Sequence, residues 1–596
     1  STLFPYTTLF RSPAGNMNGV LLAEHRTTVL ISICLYFVGT LLLGYMGRTK
    51  KKDGALKDWA VAGRNIGSIV LGLAWSATYF SSYAVLGVAG QAYTEGLSVM
   101  NLATAYFVPT AVLMYVFGAA VNILGRTNNY MSVGDLLEDR FGTKWARLPI
   151  IITTVIFSGY YTGIQLIGAA VVLEQLAGIP YVLALVLGAL VLCVYVMMGG
   201  FKSTALTDTL QAILLFVALF GGGLIAVTLT KGNLFGMLID KVGVEGITSP
   251  GLKRLATPIF GISFSMNIIL YSFGYMFIQW MFAAESPGAL KKAAGIYSFV
   301  CPAGYIFGSI LLGIAGLAMG IEAAKPDYIF PIIAVKFFGP LIGAILVSGV
   351  LGATQSTAAS VLASVSLCTS YDLYRKTINP YASEKKILNI SRTMSVLVLI
   401  GSIALALTSK EGIMLLGAIG ISFFSVTAPP ILAAIFWPRA TKEAAIISPF
   451  IGLVVLCFTI FVKKNMLGIH PGLWGVGASF ISMVAISLMT HKTSQETIDR
   501  IHGTIAKIYH KELGSLWFPT TPGNIIATLI QIVQMFAICY GLKYITSTTL
   551  VFGMASQYAW VVAWWLLSLV SMLYIFKHTT IDQLDQKKMT KDYSSQ

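Results

Sequence analysis

The stretch LGATQSTAASVLASVS, residues 351–366, combines many hydroxyl side chains with an apolar setting. It lies inside an apolar run from about Gly339 to Ser370, which is long enough to cross a bilayer as a helix. Ser356 and Thr357 each lie three or four residues from Ser360, so these hydroxyls share one helix face, and Ala353 precedes them at the same spacing. Hydroxyls arranged in this way indicate either close packing against another helix or a polar site within the membrane.

Composition places this segment in an integral membrane protein. The chain has 596 residues, of which 56% are hydrophobic and only 11% charged, whereas soluble domains carry about 25% charged residues. We predict an all-α protein with about fifteen spans, since a helix bonds every backbone group within its own segment. The predicted spans are 27–47, 66–93, 97–124, 147–176, 180–198, 205–230, 258–285, 292–320, 339–370, 387–408, 411–437, 442–463, 470–490, 525–545 and 552–576.

The basic residues alternate between the two ends of these spans. The formal net charge of +16 alone would suit a nucleic-acid-binding protein, but Lys50, Lys51 and Lys52 follow the first span directly. Arg126 and Arg140 follow the third span, and further basic residues follow the ninth. The positive-inside rule then places the N-terminus outside and the C-terminus in the cytoplasm of a bacterial-type plasma membrane. The lipid bilayer, not nucleic acid, is the predicted partner, and no obligate protein partner is evident.

Cysteine and histidine usage gives no sign of an enzyme. All six cysteines fall in apolar spans at no metal-like spacing, and we interpret them as small hydrophobic residues. The histidines form no cluster that would bind a metal or serve a hydrolytic triad. We therefore predict neither catalytic residues nor a cofactor.

The chain divides into four predicted parts. Residues 1–16 contain TLFPYTTLFRS, which looks like the translation of a sequencing adapter and is predicted to be non-native. A first helix and its cytoplasmic loop occupy 17–65, a ten-helix core 66–437, and additional helices with a cytoplasmic tail 438–596. The longest polar loop, 491–524, is too short for a catalytic or signalling domain.

Two long spans suggest an internal repeat. Segments 66–93 and 258–285 are rich in Ser and Gly and are separated by four intervening spans. This arrangement is typical of an inverted five-plus-five repeat in which each half opens with a discontinuous helix. Hydroxyl residues crowd Trp75–Tyr83, with glycines on both sides, so this part of the helix can unwind and expose carbonyls. The alternative is that small and hydroxyl residues only allow close helix packing.

Together the two hydroxyl clusters can form a cation site. Ser356 and Thr357 are adjacent, and their hydroxyls could face a cation held by carbonyls of the opened helix at Ala77 and Phe80. Such a site contains only neutral oxygens, which suit a monovalent ion better than a divalent one.

The sequence resembles the sodium:solute symporter family, which includes sodium/glucose, sodium/proline and sodium/pantothenate transporters. The similarity covers roughly residues 27–490. The motifs that carry it, in chain order, are DWAVAGR at 58–64, GRNIGSIVLGLAWSATYFSSY at 63–83, VGDLLEDRFG at 133–142, GGFKSTALTDTLQ at 199–211, IQWMFAAES at 278–286, LVSGVLGATQSTAASVL at 346–362, YDLYRK at 371–376 and APPILAAIFWPRATKEAA at 428–445.

The resemblance implies a leucine-transporter-type core with one helix before it and several after it. It also implies a site for Na⁺, as the coupling ion, on backbone oxygens of Ala77, Phe80 and Ala353 and on the hydroxyls of Ser356 and Thr357. It assigns Asp208 to ion coupling or to the inner exit path of the cation. From the residues alone, Asp208 could equally be an N-terminal cap of its span, because helix N-termini favour negative charge.

The predicted substrate residues lie on the two discontinuous helices and beside the sodium site. Aromatic residues at helical spacing are also typical of packing, so each assignment competes with that interpretation. Trp280 stands where relatives commonly carry Arg, which leaves the solute open. The predicted substrate-binding residues are Tyr79, Ser82, Tyr83, Tyr271, Tyr275, Gln279 and Gln355.

We predict a sodium-coupled symporter that imports a small organic solute by alternating access. A proton-coupled transporter of the same fold is the main alternative. A membrane sensor derived from the transporter core is disfavoured by the lack of a kinase-sized domain. A passive channel would need a continuous polar pore, whereas the polar residues here cluster near the middle of selected spans.

Overall fold

The computed structural model describes residues 17–47, 55–246, 257–409, 413–463, 466–503, 521–545 and 549–579, so the predicted adapter segment 1–16 lies outside the described residues. The described chain is almost entirely helical, with one short antiparallel ladder of β1, Leu550–Val551, and β2, Met554–Ala555. The helices are α1 Met17–Met46, α2 Ala55–Val61, α3 Ser68–Tyr79, α4 Val88–Glu95, α5 Met100–Ala103, α6 Phe107–Thr127, α7 Val133–Phe141, α8 Leu148–Ala177, α9 Tyr181–Leu229, α10 Leu234–Gly246, α11 Pro258–Tyr271, α12 Tyr275–Ala283, α13 Pro287–Gly304, α14 Leu311–Ala318, α15 Ile329–Leu367, α16 Glu384–Thr408, α17 Ile413–Ser425, α18 Ala428–Phe436, α19 Lys442–Cys457, α20 Pro471–Met489, α21 Gln495–Ile498, α22 Pro522–Tyr544 and α23 Ser556–His578.

The prediction of fifteen spans is not confirmed. Within the described ranges, eleven helices are long and apolar enough to cross a membrane, or twelve if the bent pair α11 and α12 forms one span. The other predicted spans fall on α1, α3 and the first part of α9, where the apolar helical stretches found in the described chain are shorter. These short helices are Leu30–Met46, Ser68–Tyr79 and Tyr181–Val194.

A glycine separates the two membrane segments of α9. Gly200 has φ 54° and ψ −137°, a backbone conformation that residues with a side chain rarely adopt. The ring of Trp59 packs so closely that a Cβ on Gly200 would lie 2.3 Å from the Trp59 ring. The kink therefore depends on glycine, and it coincides with the expected boundary between spans 180–198 and 205–230.

The hydroxyl-rich helix α15 lies at the centre of the bundle. It packs against α1, α8, α9 and α3, and the face carrying Ser356, Thr357 and Ser360 is fully buried. Since that face is not exposed to lipid, its hydroxyls meet other helices and not the bilayer.

The last two described helices, α22 and α23, pack against each other and against this bundle. Tyr558 on α23 donates its hydroxyl to the carbonyl of Ile306 at 2.8 Å, and the Trp565 indole donates to the carbonyl of Ser298 at 3.3 Å. Within the pair, Gln531 donates to the carbonyl of Ser568 at 2.8 Å. These hydrogen bonds join the C-terminal pair to α13 and to the π-helical turn that follows it.

Candidate functional site

The first helix break follows α3. Helix α3 ends at Tyr79, and Phe80 has φ −79° and ψ 84°, which lies outside the helical region. The backbone nitrogen of Phe80 still donates to the carbonyl of Ser76 at 2.9 Å, so the break begins after that bond. A π-helical turn, Tyr83–Gly87, then starts the next helical segment. The break leaves carbonyls of the last α3 turn without their usual helical donors.

The second break lies directly beside the first. Helices α11 and α12 meet at an angle of 47° across Ser272, Phe273 and Gly274. The hydroxyl of Tyr79, at the first break, lies 2.6 Å from the hydroxyl of Ser272, at the second. The sequence-based prediction placed discontinuities in both segments, and the structure brings them into contact.

Four of the five predicted sodium-coordinating oxygens lie together beside the first break. The Ser356 hydroxyl lies 3.0 Å from the Ala77 carbonyl oxygen and 3.1 Å from the Ala353 carbonyl oxygen. The Thr357 hydroxyl lies 3.3 Å from the Ala353 oxygen and 3.4 Å from the Ala77 oxygen. Phe80, the fifth predicted residue, lies at the break itself and its ring stacks on Tyr305.

The sequence did not reveal one member of this cluster. The Thr357 hydroxyl also lies 3.1 Å from the carbonyl oxygen of Thr78, which the break exposes in the same way as that of Ala77. Carbonyl and hydroxyl oxygens are hard, neutral ligands that suit alkali cations. Because a hydroxyl hydrogen can rotate away, the same oxygens that now share hydrogen bonds can turn their lone pairs toward a cation.

Asp208 is connected to this cluster through hydroxyl groups. It is fully buried, and its Oδ2 accepts a hydrogen bond from Ser360 at 3.1 Å. The Ser360 hydroxyl lies 3.4 Å from that of Thr78, next to the carbonyl cluster. Within the described ranges, Asp208 Oδ1 has no hydrogen-bond partner. Asp208 lies about two turns beyond the Gly200 kink, inside α9, so it does not cap that helix.

Aromatic rings fill the space around the two breaks. The Tyr79 ring centroid lies 6.2 Å from that of Tyr271, 5.0 Å from that of Phe277 and 4.9 Å from that of Tyr297. Tyr83 stacks on Phe264 at 6.5 Å, and its hydroxyl has no hydrogen-bond partner in the described part of the chain. The predicted substrate residues Tyr79, Tyr83 and Tyr271 are therefore buried at the breaks.

Ser82 has a partner that the sequence analysis did not identify. Its backbone nitrogen and its hydroxyl both donate to Gln165 Oε1 on α8, each at 2.8 Å. Gln165 therefore supplies an acceptor to a segment that has lost its helical hydrogen bonds. A glutamine inside the apolar run 147–176 is the signal that could have identified it.

Gln355, although adjacent to Ser356, contacts a different helix. Its Oε1 accepts from the hydroxyl of Tyr36 on α1 at 3.2 Å, and Gln211 on α9 donates to the same hydroxyl at 2.8 Å. This arrangement links α1, α9 and α15 beside the oxygen cluster.

The structure does not bring Tyr275 and Gln279 to the aromatic cluster. Tyr275 donates to Asp372 at 2.7 Å, and Arg147 forms an ion pair with the same carboxylate. Gln279 donates to the carbonyls of Ala60 at 2.7 Å and Met131 at 2.8 Å. Both side chains connect α12 to neighbouring segments here, and their contact with substrate stays a prediction.

Comparison with known proteins agrees with this geometry. The family model described as "Sodium:solute symporter family" matches residues 59–452, which include both breaks, Asp208 and the α15 hydroxyls. The chain belongs to the sodium:solute symporter family. It is a sodium-coupled symporter with multiple membrane spans, and this family assignment agrees with the absence of enzyme signatures in the sequence.

Relatives and a solved structure extend this family assignment. The osmoregulated proline transporter of Bacillus subtilis (strain 168) is 26% identical, over 81% of this chain and 99% of the relative. The sodium/proline symporter of Escherichia coli (strain K12) is 26% identical, over 78% of this chain and 93% of the relative. A substrate-bound, outward-open Na⁺-coupled sialic acid symporter superimposes with a TM-score of 0.61 at 19% identity, covering 78% of this chain and 99% of that one. The symporter therefore shares its fold with that structure.

Proposed function

We propose that this symporter binds its coupling Na⁺ at the oxygen cluster between α3 and α15 and uses it to import a small, net-neutral organic solute. The single observation that supports this most directly is the convergence of the Ser356 and Thr357 hydroxyls on the Ala77 carbonyl, at 3.0 and 3.4 Å. Hydroxyls on an unbroken helix rarely meet carbonyls of another helix, since those are occupied by their own helical bonds. The break after Tyr79 removes that competition.

The proposed ligands are the carbonyls of Ala77, Phe80 and Ala353 and the hydroxyls of Ser356 and Thr357. All five are neutral, so the ion keeps its full charge and binds weakly enough to be released on the other side. Asp208 is the proposed coupling residue because the Ser360 hydroxyl connects it to Thr78, at 3.1 and 3.4 Å. A buried carboxylate near a cation path attracts the ion without coordinating it directly at this site.

One sodium ion provides enough energy for uphill import. A tenfold gradient contributes about 1.4 kcal/mol, and a membrane potential of about 100 mV adds roughly 2.3 kcal/mol per charge. Together these terms support a several-hundred-fold accumulation of a neutral solute. We propose alternating access around the two breaks, with α3 and the α11–α12 pair opening the two halves of an inverted repeat.

The proposed solute site is the aromatic cluster of Tyr79, Tyr83 and Tyr271, with Ser82 and Ser272 as polar groups. The ring contacts and hydrogen bonds described for these residues involve tyrosine, phenylalanine, serine and glutamine, with no charged side chain among them. Such a lining suits a compact solute with an apolar body and no net charge. Proline, the solute named for the bacterial relatives, has these properties and is the first candidate to test.

The sodium site can be tested without knowing the solute. The thermal unfolding midpoint of the purified chain is followed against NaCl, with KCl and choline chloride at matched ionic strength. We expect a saturable increase in the midpoint that is specific for Na⁺, because a ligand that binds only the folded state stabilises it. Ser356→Ala and Thr357→Ala should abolish this increase. Ser364→Ala is the matched control, since its hydroxyl donates only within α15, to the Ser360 carbonyl at 2.8 Å.

The proton-coupled alternative gives a different result in the same experiment. A midpoint that does not respond specifically to Na⁺, together with solute uptake driven by a pH gradient in sodium-free buffer, would favour it. A sodium response that survives both Ser356→Ala and Thr357→Ala would place the ion elsewhere in the molecule. The proposed orientation, with N-terminus outside and C-terminus in the cytoplasm, can be checked by labelling single cysteines placed near each end.

A further inference from the structure

A cavity of about 620 Å³ lies at the end of the bundle where α3 and α13 begin and α23 finishes. Its volume falls within the range of about 300–1,000 Å³ that is common for ligand pockets. It lies apart from the helix breaks, and the proposed transport mechanism does not use it. Its lining residues are Ser68, Glu285, Ser286, Gly288, Ala289, Lys291, Lys292, Gly295, Leu573 and Phe576.

We propose that this cavity binds the headgroup of an anionic phospholipid from the surrounding bilayer. Two lysines line it, and Lys292 is exposed, so its ammonium group is accessible to a phosphodiester. Basic pockets between transmembrane helices commonly bind anionic lipid headgroups in this way. The other cavity lysine, Lys291, lies 3.4 Å from the Thr579 carbonyl and 5.7 Å from the Tyr115 ring centroid. These contacts hold its charge between α13 and the end of α23.

The cavity lies at the level where lipid headgroups are expected. Its lining on α13 extends from Ser286, which caps the helix, to Gly295, about two and a half turns along. On α23 it involves Leu573 and Phe576, in the last turns before the helix ends at His578. Both helices are candidate membrane spans, so their ends lie where hydrocarbon gives way to headgroups.

The walls of the cavity suit a lipid better than a soluble anion. Leu573 is 60% exposed on the outer surface of the bundle, and Phe576 is buried behind it, so the cavity continues onto an apolar, lipid-facing surface. Acyl chains can follow that surface while the phosphate stays beside Lys292. One carboxylate, that of Glu285, also lines the cavity, but it interacts electrostatically with Arg126. The two lysines therefore leave the cavity lining with a net positive charge.

The position of the cavity gives the lipid a structural role. A headgroup held there would contact the first residue of α3, which carries Ala77 and Thr78 at its other end, and the last turns of α23. The lipid would thus join the C-terminal helix pair to the broken helix of the core.

The test follows the thermal unfolding midpoint of the delipidated full-length chain in detergent, in potassium buffer without sodium. Phosphatidylglycerol is titrated against phosphatidylethanolamine, with glycerol phosphate and inorganic phosphate as soluble controls. We expect a saturable increase in the midpoint with phosphatidylglycerol alone. Lys292→Gln should weaken its apparent affinity roughly fivefold, the effect of losing one basic residue near an anionic lipid surface, about 1 kcal/mol.

Two further variants make the test specific. Gly295→Phe fills the cavity without changing its charge, because a Cβ at Gly295 meets no atom within 4 Å, and it should abolish the phosphatidylglycerol response. Lys442→Gln removes another exposed lysine, at the start of a different membrane helix, and should leave the response unchanged.

Three results would overturn the proposal. Equal responses to phosphatidylglycerol and phosphatidylethanolamine would show that charge is not recognised. An equal response to inorganic phosphate would identify a soluble anion, not a lipid. Wild-type affinity in Lys292→Gln would place lipid binding elsewhere, even if Gly295→Phe failed to fold.

Discussion

The hydroxyl of Tyr79 lies 2.6 Å from that of Ser272, and this contact joins the two places where membrane helices are interrupted. Tyr79 is the last residue of α3, and Ser272 is the first after α11. Because each break removes helical hydrogen bonds, side-chain contacts between the breaks must hold the unwound segments in place. This relationship makes the hydroxyl of Tyr79 a direct test of how the site is assembled.

Tyr79→Phe should lower the free energy of unfolding by about 1 kcal/mol, the usual net value of one hydrogen bond. Ser272 keeps its bond to the Ile268 carbonyl at 3.3 Å, so no buried donor is left unpaired. We also expect weaker solute binding with an unchanged sodium response, since the hydroxyl lies on the aromatic side of the break. Chemical unfolding in detergent and solute titration measure the two effects.

Tyr83→Phe is the matched control for that experiment. It removes a buried tyrosine hydroxyl from the same segment, but one with no hydrogen-bond partner among the described residues. Its stability should equal or exceed that of the wild type. If both variants lost the same stability, the Tyr79–Ser272 contact would not be the cause.

Gln165→Leu should destabilise the first helix break more than Tyr79→Phe does. The backbone nitrogen and hydroxyl of Ser82 would both lose their acceptor, and an unsatisfied buried polar group costs about 1–3 kcal/mol. We expect a lower unfolding midpoint and a weaker sodium response, because the break adjoins the oxygen cluster. Thr162→Val is the control: it changes the same helix one turn earlier, where the hydroxyl has no hydrogen-bond partner in the described chain. An intact sodium response in Gln165→Leu would separate the Ser82 contact from ion binding.

Some of the site residues could be predicted from the sequence and others could not, depending on whether they form a repeating pattern. The α15 hydroxyls were predicted because Ser356, Thr357 and Ser360 repeat at helical spacing inside an apolar run, and the structure buries that face against α3. The breaks were predicted from glycine and hydroxyl content, which permits unwinding. Gln165 was missed because a single glutamine has no spacing pattern, and its partner Ser82 lies 83 residues away.

Tyr275 and Gln279 show the limit of placing residues by helix alone. Both lie on the predicted discontinuous segment, but their partners are distant in sequence: Asp372 is 97 residues from Tyr275, and Ala60 is 219 residues from Gln279. Sequence periodicity predicts which residues share one face of a helix. It does not predict which other segment packs against that face. The span count differs because hydropathy cannot show where a helix is interrupted: α3 ends at Tyr79, and α11 meets α12 at a bend.

The segment around His502 should respond to pH. His502 accepts a hydrogen bond from Arg140 Nε at 3.2 Å, and Arg500 forms an ion pair with Asp139 nearby, at 3.4 Å. Burial, reinforced by the positive charge of Arg140, lowers the pKa of His502 from 6.5 to about 4. Since the unfolded segment takes up its proton first, the stability of this contact is complete above pH 6.5 and is lost progressively as the pH falls toward 4.

Hydrogen exchange of residues 494–503 between pH 7 and 4.5, corrected for the intrinsic rate, would detect this loss as decreasing protection. His502→Gln keeps an acceptor for Arg140 but does not titrate, so its protection should stay constant over the same range. Protection that falls equally in both proteins would assign the effect to another group.

Asp208→Asn tests whether the carboxylate on α9 acts on the ion through its charge. Asparagine keeps an oxygen acceptor for Ser360 and is nearly the same size as aspartate, so the unfolding midpoint should change little. At an effective dielectric constant near 20, one charge several ångströms away contributes roughly 2 kcal/mol to cation binding. We therefore expect the affinity for radiolabelled Na⁺ to fall about tenfold to thirtyfold.

The neighbouring substitution Thr209→Val provides the comparison, because the Thr209 hydroxyl donates only to the Ala205 carbonyl of its own helix, at 2.7 Å. It should bind Na⁺ like the wild type. Wild-type affinity in Asp208→Asn as well would show that the carboxylate does not act on the ion electrostatically, and the Ser360–Thr78 connection would then be structural. A loss of affinity confined to Asp208→Asn would instead locate the coupling charge on α9, two hydroxyl contacts from the proposed sodium ligands.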